Sequence, residues 1–206
     1  PGHAIESSWF ILREAIERDN DKNLIELGLK IFDWMWEWGW DKEYGGIIQF
    51  MDVLNKPKSD YWHDMKFWWP QTEAAIATLY AYYFTKDKKY LEKHFMVKEY
   101  TNKFIDKEFG EWFGYLHRDG SLSTDLKGNM YKGPFHIPRM YMKCVEMIDL
   151  INKNKNFKPI EVFVKDELAR KVLDKVVLKS TERLSDIIYS NTSYKYDQSF
   201  FNENKK

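Results

Sequence analysis

Cysteine occurs once in 206 residues, at Cys144, so a framework of intrachain disulfides is excluded. Nowhere does the sequence hold an apolar run near the roughly 20 residues that a membrane-spanning helix needs, and it shows no secretory leader pattern. An excess of one charge sign is missing too. Lys plus Arg number 32 against 32 Asp plus Glu, which removes the global field that draws nucleic acid or an anionic membrane. The expectation is a cytoplasmic protein with no nucleic-acid or membrane partner and a substrate that is not a polyanion.

What is abundant is apolar and aromatic surface. Apolar residues make up 44% of the chain, enough for a core, and aromatics 17%, nine of them Trp. Each buried indole N–H seeks an acceptor, so some of these rings are expected to line a pocket.

The string Asp41-Lys42-Glu43-Tyr44-Gly45 returns as Asp106-Lys107-Glu108-Phe109-Gly110, an offset of 65 residues. Proline-opened stretches at Pro1, Pro70 and Pro134 share that phase. In the first unit Ile5, Trp9, Leu12 and Ile16, then Ile25, Leu29, Phe32 and Trp36, follow helical spacing and predict two amphipathic helices. Ile47 to Val53 before Asn55-Lys56-Pro57 reads as a short strand and turn. In the second unit Pro70 suits a first helical position, Tyr90 to Phe104 reads as the partner helix, and a hairpin runs through Glu111–Tyr115 with its turn at Asp119-Gly120. The third helix is expected from Pro134 to about Leu150. Each unit is therefore helix, helix, small hairpin. Such units bury their faces only against neighbours, and Pro1 opens a helix without a cap, which points to an α/α toroid with earlier hairpins. Residues 151–158 read as a polar linker, Val162–Ile188 as one further helix, and the remainder as a poorly ordered tail.

At the head of the three first helices stand His3-x-x-Glu6-x-x-Trp9, Trp68-Trp69-Pro70-Gln71-Thr72-Glu73 and Phe135-His136-Ile137-Pro138-Arg139. Equivalent positions of successive repeats converge at one end of a toroid's cavity, so these residues are expected to meet. His3, Glu6 and Trp9 form one contiguous strip of a helix, as do His136 and Arg139. Glu6 is placed to hold and bias His3. With no serine or cysteine set for attack, the pattern suits a tuned base rather than a nucleophilic pair, and Cys144 reads as core. His-x-x-Glu with His136 could hold zinc, but carboxylate-plus-histidine sets at such loose spacings are common by chance, and no metal is expected. His63, His94 and His117 read as surface or packing residues.

The segments PGHAIESSWFILREA, KFWWPQTEAAIA, GEWFGYL and KGPFHIPR, in this order over residues 1–150, closely resemble the second half of the N-acylglucosamine 2-epimerase family. That family includes the renin-binding proteins and the cellobiose 2-epimerases. The resemblance implies an all-α chain, an incomplete (α/α)6 barrel with short β-hairpins between repeats. Residues 1–152 would be its C-terminal half and 153–206 an extension without counterpart. It implies inversion at C2 of an open-chain sugar through an enediolate, with His3 and His136 as the acid/base pair. Glu6 would orient His3 and Arg139 would stabilise the oxyanion. Trp9, Trp69 and Glu73 would contact the sugar. The PFHIPR and GEWFGYL segments favour interconversion of N-acetylglucosamine and N-acetylmannosamine. A cellobiose 2-epimerase, an aldose–ketose isomerase and a catalytically silent carbohydrate-binding module are the alternatives. No cofactor would be required; ATP as an allosteric activator and a homodimer when full length complete what the resemblance implies.

Overall fold

A helix that is apolar around most of its circumference has to be enclosed, and Trp68–Thr85 is one: every residue from Trp68 to Tyr82 is buried. A computed structural model describes residues 1–153. In it this helix, α3, lies between α1 (Gly2–Glu17) and α5 (His136–Lys153). The second helices, α2 (Lys22–Gly39) and α4 (Lys88–Thr101), pack on α1 and α3 respectively. The first helices thus stand side by side, as the repeat requires. Small residues permit the close approach: a Cβ on Gly28 would come within 2.7 Å of the Leu12 side chain, and Ala74, Ala75 and Ala77 are buried along α3. Asp21 caps α2 by accepting from the amides of Asn23 and Leu24, and Asp87 caps α4 through Lys89.

The two second helices also meet. Tyr90 donates its hydroxyl to Asp33 at 2.9 Å and packs its ring on Phe32. Core positions Ile5, Trp9, Leu12, Phe32 and Trp36 are buried as their spacing predicts.

Boundaries and strands differ from expectation in five places. Ile47 to Val53 makes one bridge, Ile47 with Trp40, and then an irregular loop, because its backbone bonds go to Gly39, His63 and Met65 instead of an adjacent strand. The strand β1 is Lys66–Phe67, and it pairs antiparallel with β2, Tyr115–Leu116, of the next repeat. The expected hairpin survives as a single Leu116–Leu122 bridge around Asp119-Gly120. Pro70 stands third in α3, where its missing N–H still costs nothing, since the first-turn donors have no intrahelical acceptor. Helix α4 spans Lys88–Thr101, and α5 runs on through Lys153, so the first residues of the presumed linker are helical. Its remainder, the helix read over 162–188 and the tail fall outside the described residues.

The repeated pentapeptide forms the same turn twice. Asp41 Oδ1 accepts from the amides of Glu43 and Tyr44, and Asp106 Oδ1 from those of Glu108 and Phe109. Bridges Trp40–Ile47 and Ile105–Trp112 close the two turns, again 65 residues apart. The copies differ in surroundings. Asp41 is buried and holds Lys66 Nζ at 2.8 Å and Arg118 Nε at 2.9 Å, tying the first turn to β1 and to the segment after β2. Burial works to raise the Asp41 carboxyl pKa, but the bonds from Lys66, Arg118 and two backbone amides outweigh it and hold the group well below the usual range. Asp106 pairs with Lys127 at the surface.

Gly46 illustrates the same divergence. Its φ is +77°, and a Cβ there would lie 2.4 Å from the Tyr100 ring. The equivalent position of the next repeat is Glu111, which adopts φ +66°, so packing against Tyr100 rather than φ alone demands glycine at 46. Gly46→Ala is expected to lower the unfolding free energy by roughly 2–3 kcal/mol. Gly110→Ala, at similar φ with nothing within 4 Å, should cost about 1 kcal/mol. Denaturant titration of the two variants checks the difference.

Candidate functional site

The N-termini of α1, α3 and α5 carry the site. Glu73, one turn into α3, is fully buried, and donors from two neighbouring helices surround its carboxylate. His136 Nδ1 lies 2.8 Å from Oε1, Arg139 Nη2 also lies 2.8 Å from Oε1, and the Trp9 indole N–H donates to Oε2 at 2.9 Å. The Thr72 hydroxyl approaches Oε1 at 3.4 Å. Burial alone would raise the carboxyl pKa; the bonds from His136 and Arg139, the Arg139 charge and the Trp9 N–H bring it below its ordinary value. A buried carboxylate held ionised in this way acts as a rigid acceptor.

Its first consequence concerns His136. With Nδ1 against an ionised carboxylate, the neutral imidazole carries its proton on Nδ1 and keeps the Nε2 lone pair free. The ring packs near Trp69 at 5.7 Å and edge-on to Trp68 at 6.2 Å between centroids. His3, exposed at the start of α1, lies on the same indole, with centroids 4.5 Å apart. The Trp69 ring is therefore common to both histidines.

Arg139 is the second consequence. Its Nη2 also donates to Glu6 Oε1 of α1, and its guanidinium carbon lies 4.5 Å from the Phe135 ring centroid, 5.3 Å from Trp9 and 5.6 Å from Phe10. Burial works to lower its pKa, but Glu73 and Glu6 overcome that and raise it.

His3, Glu6, Trp9, Trp69, Glu73, His136 and Arg139 thus fall in one region, as the repeat phase predicts, while two pairings differ. Glu6 is bonded to Arg139 rather than to His3, because the guanidinium reaches across from α5 with full charge. Glu73, read as a sugar contact, has both oxygens occupied by protein donors, His136 and Arg139 on Oε1 and Trp9 on Oε2. Trp9 is likewise buried with its N–H spent on Glu73. Spacing gave no warning of this, because the partners come from different helices. Trp68 and Phe135, both among the helix-head residues expected to meet, stand beside His136 and Arg139; Phe10, the other wall of Arg139, carried no signal in the spacing.

Glu6, Glu73 and His136 present ligand atoms within 4.8 Å of one another, a spacing compatible with a metal ion. The Arg139 guanidinium is bonded to both carboxylates, so a divalent cation there would have to displace it. Cys144 has its thiol pushed up to about 12 by burial, consistent with a packing residue. His94, bonded to Ala75 and Thr78, is held neutral by burial, which lowers its pKa to about 4. Among the described residues no helix is long and apolar enough to cross a membrane.

Residues 1–135 match the family model described as N-acylglucosamine 2-epimerase (GlcNAc 2-epimerase). The N-acylglucosamine 2-epimerase of Bos taurus is 43% identical over 150 residues, covering 72% of this chain and 36% of the relative. A cellobiose 2-epimerase structure from Bacillus thermoamylovorans superposes with a TM-score of 0.58 at 26% identity, over 70% of this chain and 36% of that one. A D-mannose isomerase structure superposes with a TM-score of 0.63 at 23% identity, over 71% and 36%, a likeness of fold. The chain spans about a third of the length of the curated relatives it matches.

Proposed function

The chain belongs to the N-acylglucosamine 2-epimerase family, and from that premise we propose that it carries the proton-transfer residues of a sugar 2-epimerase. The observation that supports this most directly is the Glu73–His136 pair beside Arg139, with His3 on the other contact of the Trp69 indole. Inverting a carbon without a change of oxidation state needs a base to take the C2 proton and an acid to return one to the opposite face. Imidazoles suit both tasks near neutral pH. In this reading the Nε2 atom of one ring removes the C2 proton of the open-chain sugar, and the C–H electrons form the C1=C2 bond. The carbonyl oxygen then becomes an oxyanion facing Arg139. Proton return by the other histidine completes the inversion. With an acylamino group at C2 the intermediate is an enolate, and with a hydroxyl an enediolate.

The substrate pair we favour is N-acetylglucosamine and N-acetylmannosamine. Identity to the Bos taurus N-acylglucosamine 2-epimerase is 43%, against 30% to the cellobiose 2-epimerase of Dictyoglomus turgidum. The same reading takes residues 1–152 as the C-terminal half of an (α/α)6 barrel in a cytoplasmic homodimer, with ATP as an activator.

The intact protein, incubated with N-acetylmannosamine in heavy water, is expected to place deuterium at C2 and release N-acetylglucosamine. Ketose product would redirect the reading to aldose–ketose isomerisation, which uses the same first step. Sugar binding with no exchange would leave a carbohydrate-binding module and end the enzymatic proposal.

A further inference from the structure

Arg139 is incompletely used. Among the described residues its Nε–H is buried without a hydrogen-bond partner, while the neighbouring Nη2 on the same edge of the guanidinium serves two carboxylates. A guanidinium edge of this kind matches a planar pair of acceptors. An unfilled buried donor carries an uncompensated desolvation cost, so the edge is set for an acceptor that the described residues do not supply.

The two carboxylates differ in freedom. Glu73 is fully buried and tied by His136, Trp9, Thr72 and Arg139. Glu6 keeps 15% of its side chain exposed, and among the described residues Arg139 is its one hydrogen-bond partner. It also lies one helical turn from exposed His3, within side-chain reach along α1. Exchanging Glu6 for an anionic ligand on Arg139 conserves the charge around the guanidinium.

We propose that Glu6 is a displaceable partner of Arg139 Nη2, next to the unfilled Nε–H. The planar, singly negative C1–C2 group that forms when one imidazole removes the C2 proton of an open-chain sugar takes its place, and the released carboxylate moves to His3 and orients that imidazole. The nature of the ligand rests on the epimerase reading; the exchange itself rests on the Arg139 geometry. Glu6 is then a positioning residue with two stations, and formation of the oxyanion sets the second imidazole in place.

The probe is the open-chain 2-acetamido aldonate, whose C1 carboxylate mimics the planar oxyanion, with the uncharged alditol as its control. Calorimetry on the intact protein is expected to show the aldonate binding about tenfold more tightly to Glu6→Gln, which removes one competing charge (about 1.4 kcal/mol per factor of ten). Alditol affinity should stay within about twofold, since no charge is exchanged. Equal or weaker aldonate binding by Glu6→Gln overturns the proposal. In the native protein, saturation with aldonate should raise the His3 imidazole pKa followed by NMR, and an unmoved His3 titration likewise overturns it; this measurement decides if the variant does not fold. Deuterium exchange at C2 is scored separately. Its absence, with the aldonate results intact, would sink the epimerase reading and leave the exchange at Arg139 standing.

Discussion

Glu73→Gln should slow C2 exchange on the order of 10²–10⁴-fold, the range typical of a misplaced general acid–base group, while leaving sugar KM within a few-fold. The amide keeps the volume of the buried side chain but loses the charge that assigns the Nδ1 proton of His136, so Nε2 is no longer reliably the free base. His136→Ala should lose at least as much, and the double variant little more than either alone, because the two act as one unit. A KM rise without loss of kcat would contradict this placement. The same substitution carries a pH signature. The folded pKa of Glu73 lies below its ordinary value, so its contribution to stability is present above the unfolded pKa of about 4.3 and is lost as pH falls through the folded value. Acid unfolding between about pH 5 and pH 2 should therefore be less steep in Glu73→Gln than in the native protein.

Asp41→Ala should lower the unfolding free energy by about 3–5 kcal/mol, because it leaves an uncompensated charge in the interior. Lys66 is 0% exposed, and Asp41 is the counter-ion at 2.8 Å; burial already lowers the Lys66 pKa against the pull of that partner. Asp41 also caps its turn through two amides, which the substitution abolishes. Replacing both charges, as Asp41→Asn with Lys66→Met, should recover much of the loss, since apolar substitutes for buried pairs are often near neutral. Asp106→Ala serves as the internal comparison. It removes the same turn bonds but only a surface ion pair, and about 1 kcal/mol is expected. Chemical denaturation of the set reads these differences.

The repeat was legible in the sequence because each copy must solve the same local problem. A turn closed by an aspartate and a glycine leaves the same letters at positions 41–45 and 106–110, and helical stripes such as Ile5-Trp9-Leu12 leave theirs. The convergence of His3, Trp69 and His136 followed from phase alone. What spacing could not carry was the choice among partners from different helices. Glu6 stands one turn from His3 yet bonds to Arg139, and the outcome depends on where α5 lies across α1. Strand pairing failed for a related reason. Ile47–Val53 has strand-like composition, but the two-residue strands that form, Lys66–Phe67 and Tyr115–Leu116, are too short to leave a periodicity and join different repeats.

The Trp69 indole touches two imidazoles from two helices. A ring shared by two neighbours passes any alteration on to both. Trimming that ring would loosen donor and acceptor together, so the stereochemical traffic at the carbon would slow in forward and reverse directions alike, and no single-residue assignment of either role could be drawn from a Trp69 variant.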